Sequence, residues 1–510
     1  MTDTRRWLLF AAAACLLLRA PAFRSELLSD DEAIYDTMAR EVTKGGVMYR
    51  DTVDHKPPGL VYSYAAMQWL TGPAGTSGAG AMAAVHLLGL LAALCTCFFL
   101  YRIGLCVLAP GLAAVPPLLY AVASSAKVPW DGLAVNGELL LNAATALGVL
   151  FALEGGKRRR LALDLAAGAL IAVATLYKYQ AAVVGLALPA LLLGDRPVRA
   201  LGRSLAWALG FVAPLALCAA YFQHRDALLE ALRWGVDFNR HYLADGPSLG
   251  WALQRLSGSL AVVVLPSALL YGAGLAALFA LLRRQQRALT DVVAARAFLV
   301  LWSLLALASV ALGARFFGHY FLQPELPLAL LAAGPLSRLQ ARAPRRFAGA
   351  LAAPALFFAL LATFPELSLP YLDPDQPDYR SLGAAIEERT LPADTIWVWG
   401  NAPQLYHVAN RRQGVRFSFC NYLTGLSPAT PSEYDPGVDP AARAVPWAWP
   451  LALEDLERRR PALIVDTAAA GLKGYGKFPI ARFPAFARYL AAHYQRDGEV
   501  SGVVLYRRSN

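Results

Sequence analysis

Eleven apolar runs, each near the length that crosses a bilayer, divide the chain: 7–23, 80–100, 108–124, 133–153, 161–176, 180–194, 204–222, 257–282, 294–313, 319–334 and 347–364. A backbone in lipid has no water to satisfy its amides and carbonyls, so such runs must fold as helices. Of the 510 residues, 57% are hydrophobic and 16% charged, where a soluble domain carries about 45–50% and about 25%. The expected fold class is a polytopic α-helical membrane protein with about eleven spans. The first run, Trp7 to Leu18 behind Arg5 and Arg6, reads as an uncleaved first span.

The basic residues give an independent reading of orientation. Cytoplasmic loops collect Lys and Arg. An N-terminus inside places Arg5-Arg6, Arg102, Lys157-Arg158-Arg159-Arg160, Arg196/Arg199/Arg203, Arg283-Arg284/Arg287 and Arg338/Arg342/Arg345-Arg346 all on that side. The formal charge of +11 thus lies in short clusters beside apolar runs, which suits anionic membrane lipids and points away from nucleic acid. This orientation sends residues 24–79, 125–138 and 223–256 to the outer face, together with the C-terminal segment.

The boundaries follow from composition. Residues 1–364 form the transmembrane domain. Pro365, Pro370, Pro374 and Pro377 mark a linker over 365–379, and 380–510 read as a small α/β domain on the outer side. Strands are expected at 396–399, 415–419, 462–465 and 503–506, and helices near 380–389, 451–460 and 484–494.

Ser29-Asp30-Asp31-Glu32-Ala33-Ile34-Tyr35-Asp36 sets four carboxylates just outside the membrane, where each needs water, a partner or a substrate. Ser29 and Glu32 have capping-box spacing, and an acidic first turn complements the helix dipole. Ile34, Met38 and Val42 form an apolar stripe, and Asp36 and Arg40 are spaced to pair. The segment is expected to be an amphipathic helix on the membrane face, which gives Ser29, Glu32 and Asp36 a structural role beside any functional one. Asp30, Asp31 and Glu32 also offer oxygen ligands to Mg²⁺ or Mn²⁺. No Gly-rich nucleotide loop, His-x-x-x-His or paired Cys motif appears, so soluble nucleotide sugars and ATP have no visible site. Farther along, in Tyr49-Arg50-Asp51-Thr52-Val53-Asp54-His55-Lys56-Pro57-Pro58-Gly59, Pro57 holds Lys56 extended and Pro58 suits a first helical turn. A lysine fixed there suits a phosphate; the competing reading is a lysine snorkelling to ordinary lipid.

The Asp-Glu-x-x-Tyr of Asp31, Glu32 and Tyr35, then Tyr49-Arg50-Asp51, then Lys56-Pro57-Pro58 leading into a helix, resembles the first outer loop of the membrane glycosyltransferases with the GT-C fold. The nearest branch is the bacterial aminoarabinose-transferase and protein O-mannosyltransferase-like group. The match is specific from about 29 to 64 and looser over the rest. The resemblance implies inverting transfer of a sugar from a polyprenyl-phosphate donor to a lipid, glycan or protein acceptor, with no required metal. It implies the periplasmic face of a bacterial inner membrane as the place. By motif, Asp31 is the catalytic base or orienter, Lys56 engages the donor phosphate, and Glu32 and Tyr35 contact substrate. The aminoarabinose enzymes have Asp-Glu-Thr-Arg-Tyr, and this chain departs from them with Ala33 and Ile34.

Three further places enter on the same resemblance. Glu138, in Asn136-Gly137-Glu138, is similar to a second acidic substrate site, with capping of the fourth span as the alternative. Lys178 is either a second cation for the donor phosphate or a surface anchor. Arg315-Phe316-Phe317-Gly318-His319-Tyr320 resembles an Arg…His-Tyr turn, which assigns Arg315 to phosphate and His319 and Tyr320 to substrate. The segment with Arg233, Trp234, Asp237, Arg240, His241 and Tyr242 suits carbohydrate and interfacial helices equally, and has no assigned role. Two rival readings remain: a flippase or transporter of a lipid-linked saccharide, and a surface-polysaccharide ligase or polymerase. Transporters place charges at the bilayer midplane and often repeat internally, whereas here the charges cluster in loops and no repeat is visible.

Overall fold

Every apolar run contains helix, but the runs differ in how much of a membrane each can cross. The computed structural model describes residues 2–72, 79–244, 247–283, 293–364 and 377–509. Among these, six helices are long and apolar enough to span: Arg6–Arg24, Gly80–Val107, Pro129–Arg158, Pro197–His224, Val293–Val310 and Pro344–Thr363. Leu249–Val264 and Ala268–Leu282 form a further pair, bent by 110°. The remaining runs are shorter or interrupted. Run 108–124 holds the helix Val115–Ala123, with Pro116 and Pro117 in its first turn, and 180–194 is a chain of single turns from Tyr179 to Leu192 that includes Pro189. Run 319–334 opens in the turn Gly318–Phe321 and continues in Leu322–Arg342, most of which is buried within the protein. Helices Leu161–Tyr177 and Pro197–His224 meet backbone to backbone at Gly168 and Gly210, where an added Cβ would lie 2.1 Å and 2.0 Å from a carbonyl oxygen of the other helix. Arg203, one of the basic loop residues, is buried and pairs with Asp164 and Asp195, both at 3.1 Å. Most of the expected linker, 365–376, lies outside the described residues, as do Arg284 and Arg287.

The C-terminal segment folds around a five-stranded sheet of order β2-β1-β3-β5-β4. Its strands are β1 (Thr395–Trp399), β2 (Arg412–Gln413), β3 (Leu463–Asp466), β4 (Tyr494–Val500) and β5 (Val503–Arg508). β1 pairs in parallel with β2 and β3, and β5 is antiparallel to β3 and β4. The centre is apolar on both faces, as a covered parallel pair requires. Ile396 and Val398 pack with Leu382 and Ile386 of helix Tyr379–Glu387, while Trp397 and Trp399 pack with Ala452 of Ala448–Arg459 and Phe486 of Pro484–His493. Val415 to Phe419 is not the strand its alternation predicts. It is buried on both sides, wedged against the first loop: the Arg416 carbonyl accepts from Val53 N at 2.9 Å, and its guanidinium pairs with Asp455 at 2.7 Å.

The domain is bolted to the loop between the first two spans. Glu41 on helix Asp30–Thr43 takes Arg412 at 2.9 Å and Arg459 at 3.1 Å. One apolar cluster continues from Ile34 and Met38 through Trp234 to Trp397 and Trp399.

Candidate active site

Helix Asp30–Thr43 begins where Ser29 Oγ accepts from Glu32 N at 3.1 Å, so three carboxylates fall in the first turn. They separate at once. Asp30 accepts from the Gln404 amide and lies 3.5 Å from Lys473. Asp31 turns to Lys56. Glu32, expected from its motif to contact substrate, is fully buried and does not line the cavity described below. A desolvated carboxylate needs donors. Glu32 finds Leu28 N at 2.7 Å, Val135 N at 2.8 Å and the His86 ring at 3.3 Å, and so joins three segments of the framework.

Lys56 is placed by the residues around it. Tyr49, at φ 75°, donates from its hydroxyl to the Lys56 carbonyl at 2.8 Å, and helix Gly59–Thr71 starts just beyond Pro57-Pro58. The Lys56 ammonium then stands 3.2 Å from Asp31, 2.6 Å from the Tyr35 hydroxyl and 3.7 Å from Asp54. Burial alone would raise the Asp31 carboxyl, but Lys56, with His319 behind it, holds it below the usual carboxylate range. Burial works to lower Lys56, and Asp31, Tyr35 and Asp54 together hold it well above its usual value. The resting state is an ion pair beside a neutral phenol, since burial and then Asp31 raise Tyr35. The pair is not sealed: the side chains of Lys56 and Asp31 remain 33% and 30% exposed.

Both open onto a cavity of about 2750 Å³. Of the nine residues that the sequence singles out, only Glu32 is missing from its wall. Lys178 pairs with Glu138 and lies 3.6 Å above the Tyr320 ring. His319 Nδ1 meets Asp131 at 3.0 Å, and the same carboxylate oxygen accepts from His319 N at 3.0 Å. Arg315 is 1% exposed, donates to the Pro428 carbonyl and stacks 4.1 Å from the Tyr242 ring. Its Nε and Nη2 have no partner among the described residues, which leaves two directed donors beside the cavity for an anion.

Several residues of the wall were not singled out by motif. Asp54 is buried, accepting from His55 N at 2.7 Å and from the Tyr422 hydroxyl of the C-terminal domain at 3.2 Å. Tyr242 and Asn239 come from the segment left without a role, and Asn239 donates to the His55 carbonyl at 2.7 Å. The mixed aromatic and polar composition of that segment was the available signal. Arg240 and Asp237, from the same stretch, are exposed and pair with each other at 3.6 Å. Asp30, Asp31 and Glu32 do not converge on a common point, and no group of three or more His, Cys, Asp or Glu among the described residues is gathered to hold a metal.

No protein-family model and no curated protein matches the chain. Solved structures do. The apo state of ArnT from Cupriavidus metallidurans superposes with a TM-score of 0.62 at 14% identity, covering 99% of this chain and 98% of that one. The same protein bound to undecaprenyl phosphate gives 0.60 at 15% identity, with 98% and 97% covered. The Archaeoglobus fulgidus oligosaccharyltransferase, tethered to an acceptor peptide containing the NVT sequon, gives 0.55 at 13% identity, with 99% and 74% covered. At these identities the likeness shows the fold: this is a membrane protein with the GT-C architecture.

Proposed function

We propose that this GT-C-fold chain is an inverting glycosyltransferase, which moves a sugar from a polyprenyl-phosphate donor to an acceptor at the periplasmic face of a bacterial inner membrane. The observation that carries the reading is the half-open Asp31–Lys56 pair on the wall of a large cavity. The structural likeness to a protein solved with undecaprenyl phosphate and to another solved with an acceptor peptide supports it at the level of substrate class. The charge pattern of the loops supports the orientation, with the C-terminal domain outside.

The resting geometry gives a sequence of events. A donor phosphate draws the Lys56 ammonium away from Asp31, with Arg315 and Lys178 as further cations on the same wall. Lys56 is what depresses Asp31, so handing that charge to phosphate lets the carboxyl rise and makes it a better base. The acceptor hydroxyl attacks the anomeric carbon, its proton passes to Asp31, and the carbon–oxygen bond to phosphate breaks. The departing phosphate keeps the electron pair and is stabilised by the cations. Tyr35 steadies Lys56, while Glu138, His319 and Tyr320 shape the sugar's surroundings. No step calls for a metal ligand.

The test is release of polyprenyl phosphate from a panel of lipid-linked monosaccharides by the purified protein in nanodiscs, with envelope extract as acceptor. Release should need both the extract and Asp31, with a sugar-mass increment on one extract component. Lipid-linked sugar crossing sealed vesicles without any release would replace the transferase by the flippase reading.

A further inference from the structure

An open sheet with parallel strands binds ligands beyond their carboxyl ends, where successive connections diverge. In the C-terminal domain that point lies between β1 and β3, because the chain leaves β1 for β2 on one side and returns to β3 on the other. Gly400 marks the place. Its φ is 150°, and a Cβ there would sit 1.8 Å from Thr467 Oγ1, so only glycine lets the two departing segments come this close. Asn401 and Gln404 after β1, and Ala470 to Gly474 after β3, line the same cavity as Asp31 and Lys56.

We infer that these strand ends are the acceptor subsite, and that the acceptor they take is a carbohydrate. The inference rests on the transferase reading and adds to it the substrate class of its second site. Asn401 and Gln404 are each 8% exposed, and among the described residues Gln404 Oε1 has no partner. Asn421, on the same wall, is fixed by the Tyr475 hydroxyl at 2.7 Å. A side-chain amide presents a donor and an acceptor side by side, which matches neighbouring sugar hydroxyls, each of which gives one hydrogen bond and takes others. An alkyl chain leaves such amides unsatisfied. Trp447, on the lining of the same cavity, adds an aromatic face for the apolar side of a sugar ring. The subsite is tied to the helix that carries the proposed base: Gln404 donates to Asp30, the residue before Asp31 in the same helical turn. A hydroxyl presented from the Gln404 side reaches Asp31 while Lys56 holds the donor phosphate.

The experiment uses the full chain in nanodiscs. Saturation-transfer NMR with a panel of soluble mono- and oligosaccharides, without donor, should show binding of at least one saccharide that falls fivefold or more in Asn401→Ala and in Gln404→Ala. In the transfer assay both variants should raise the KM for acceptor tenfold or more and shift the KM for donor less than twofold. Asn401→Ala is the decisive variant, because Gln404 also holds Asp30. No saccharide binding, an unchanged acceptor KM in Asn401→Ala, or transfer onto a peptide or a saccharide-free lipid overturns the inference. If no donor turns over with any variant, the transferase reading fails, and saccharide binding still decides the subsite.

Discussion

Asp31 and Asp36 share one helix and each faces a basic partner, yet their surroundings differ in kind. Asp31 and Lys56 keep 30% and 33% of their side-chain surface. Asp36 and Arg40 keep 0% and 7%, and both Asp36 oxygens are used, by Gln68 at 2.8 Å on one side and by Arg40 at 3.0 Å and His407 at 2.9 Å on the other. Burial would raise Asp36, but Arg40 and His407 hold it far below its ordinary range. A buried carboxylate with both oxygens engaged is a joint, in this case between the first loop and the C-terminal domain. A carboxylate that shares one flexible cation and faces a cavity can exchange that cation for a ligand. The lesson is that charge alone does not mark a site; unsatisfied capacity does.

Substitutions break the comparison in order of size. Asp31→Asn should lower transfer by about a thousandfold, as loss of a general base does, while the donor still binds. Steady-state transfer beside donor binding in nanodiscs checks both halves. Asp36→Ala should leave Arg40 buried without its carboxylate and His407 with Glu26 alone, and cost about 3 kcal/mol of stability. Thermal unfolding reads this, and the fraction that folds should keep its KM for donor. Lys56→Ala should raise the KM for donor roughly 30-fold, since one charge-assisted contact contributes about 2 kcal/mol.

A pH series sharpens the contrast. Burial works to lower His407, but Asp36 and then Glu26 hold its imidazolium up at about 9, from an ordinary 6.5. The folded form therefore binds its proton more tightly than the unfolded form. That stability is fully present below pH 6.5 and is lost as pH rises towards 9, by at most about 1.4 kcal/mol per pH unit. The unfolding midpoint should fall across this window, and His407→Gln should flatten the slope. The smallest effect belongs to Glu32→Gln, which should cost about 1 kcal/mol of stability and leave both KM values within twofold; a shifted KM would return Glu32 to the site.

What was legible in the sequence was the part written in short spacings. The Ser29 cap, the Asp36–Arg40 pair and the stiff Lys56-Pro57-Pro58 turn all depend on residues within four positions of one another. What was hidden depends on distance along the chain. No short spacing shows that Glu32 takes the amide of Val135, 103 residues away, or that Arg315 meets Pro428 across 113. Apolarity marks burial without saying whether lipid or protein covers it, so the sequence does not show that most of Leu322–Arg342 is covered by protein. For the same reason the alternation of Val415 to Phe419 suggests a strand where the chain is wedged between two bodies.

The joint at Asp36 also orders the molecule's assembly in time. Asp36 and His407 are 371 residues apart, so at ribosomal speed His407 is made about 20–75 s after Asp36. Through that interval the first loop already carries Lys56, and Asp31 on a helix held by Gln68, His86 and Val135, but the helix lacks its ties to Arg412, Arg459 and His407, and the wall that the C-terminal domain supplies is absent. The cavity wall is therefore completed only when the last domain docks. A chain truncated before that domain should insert into the membrane and stay inert.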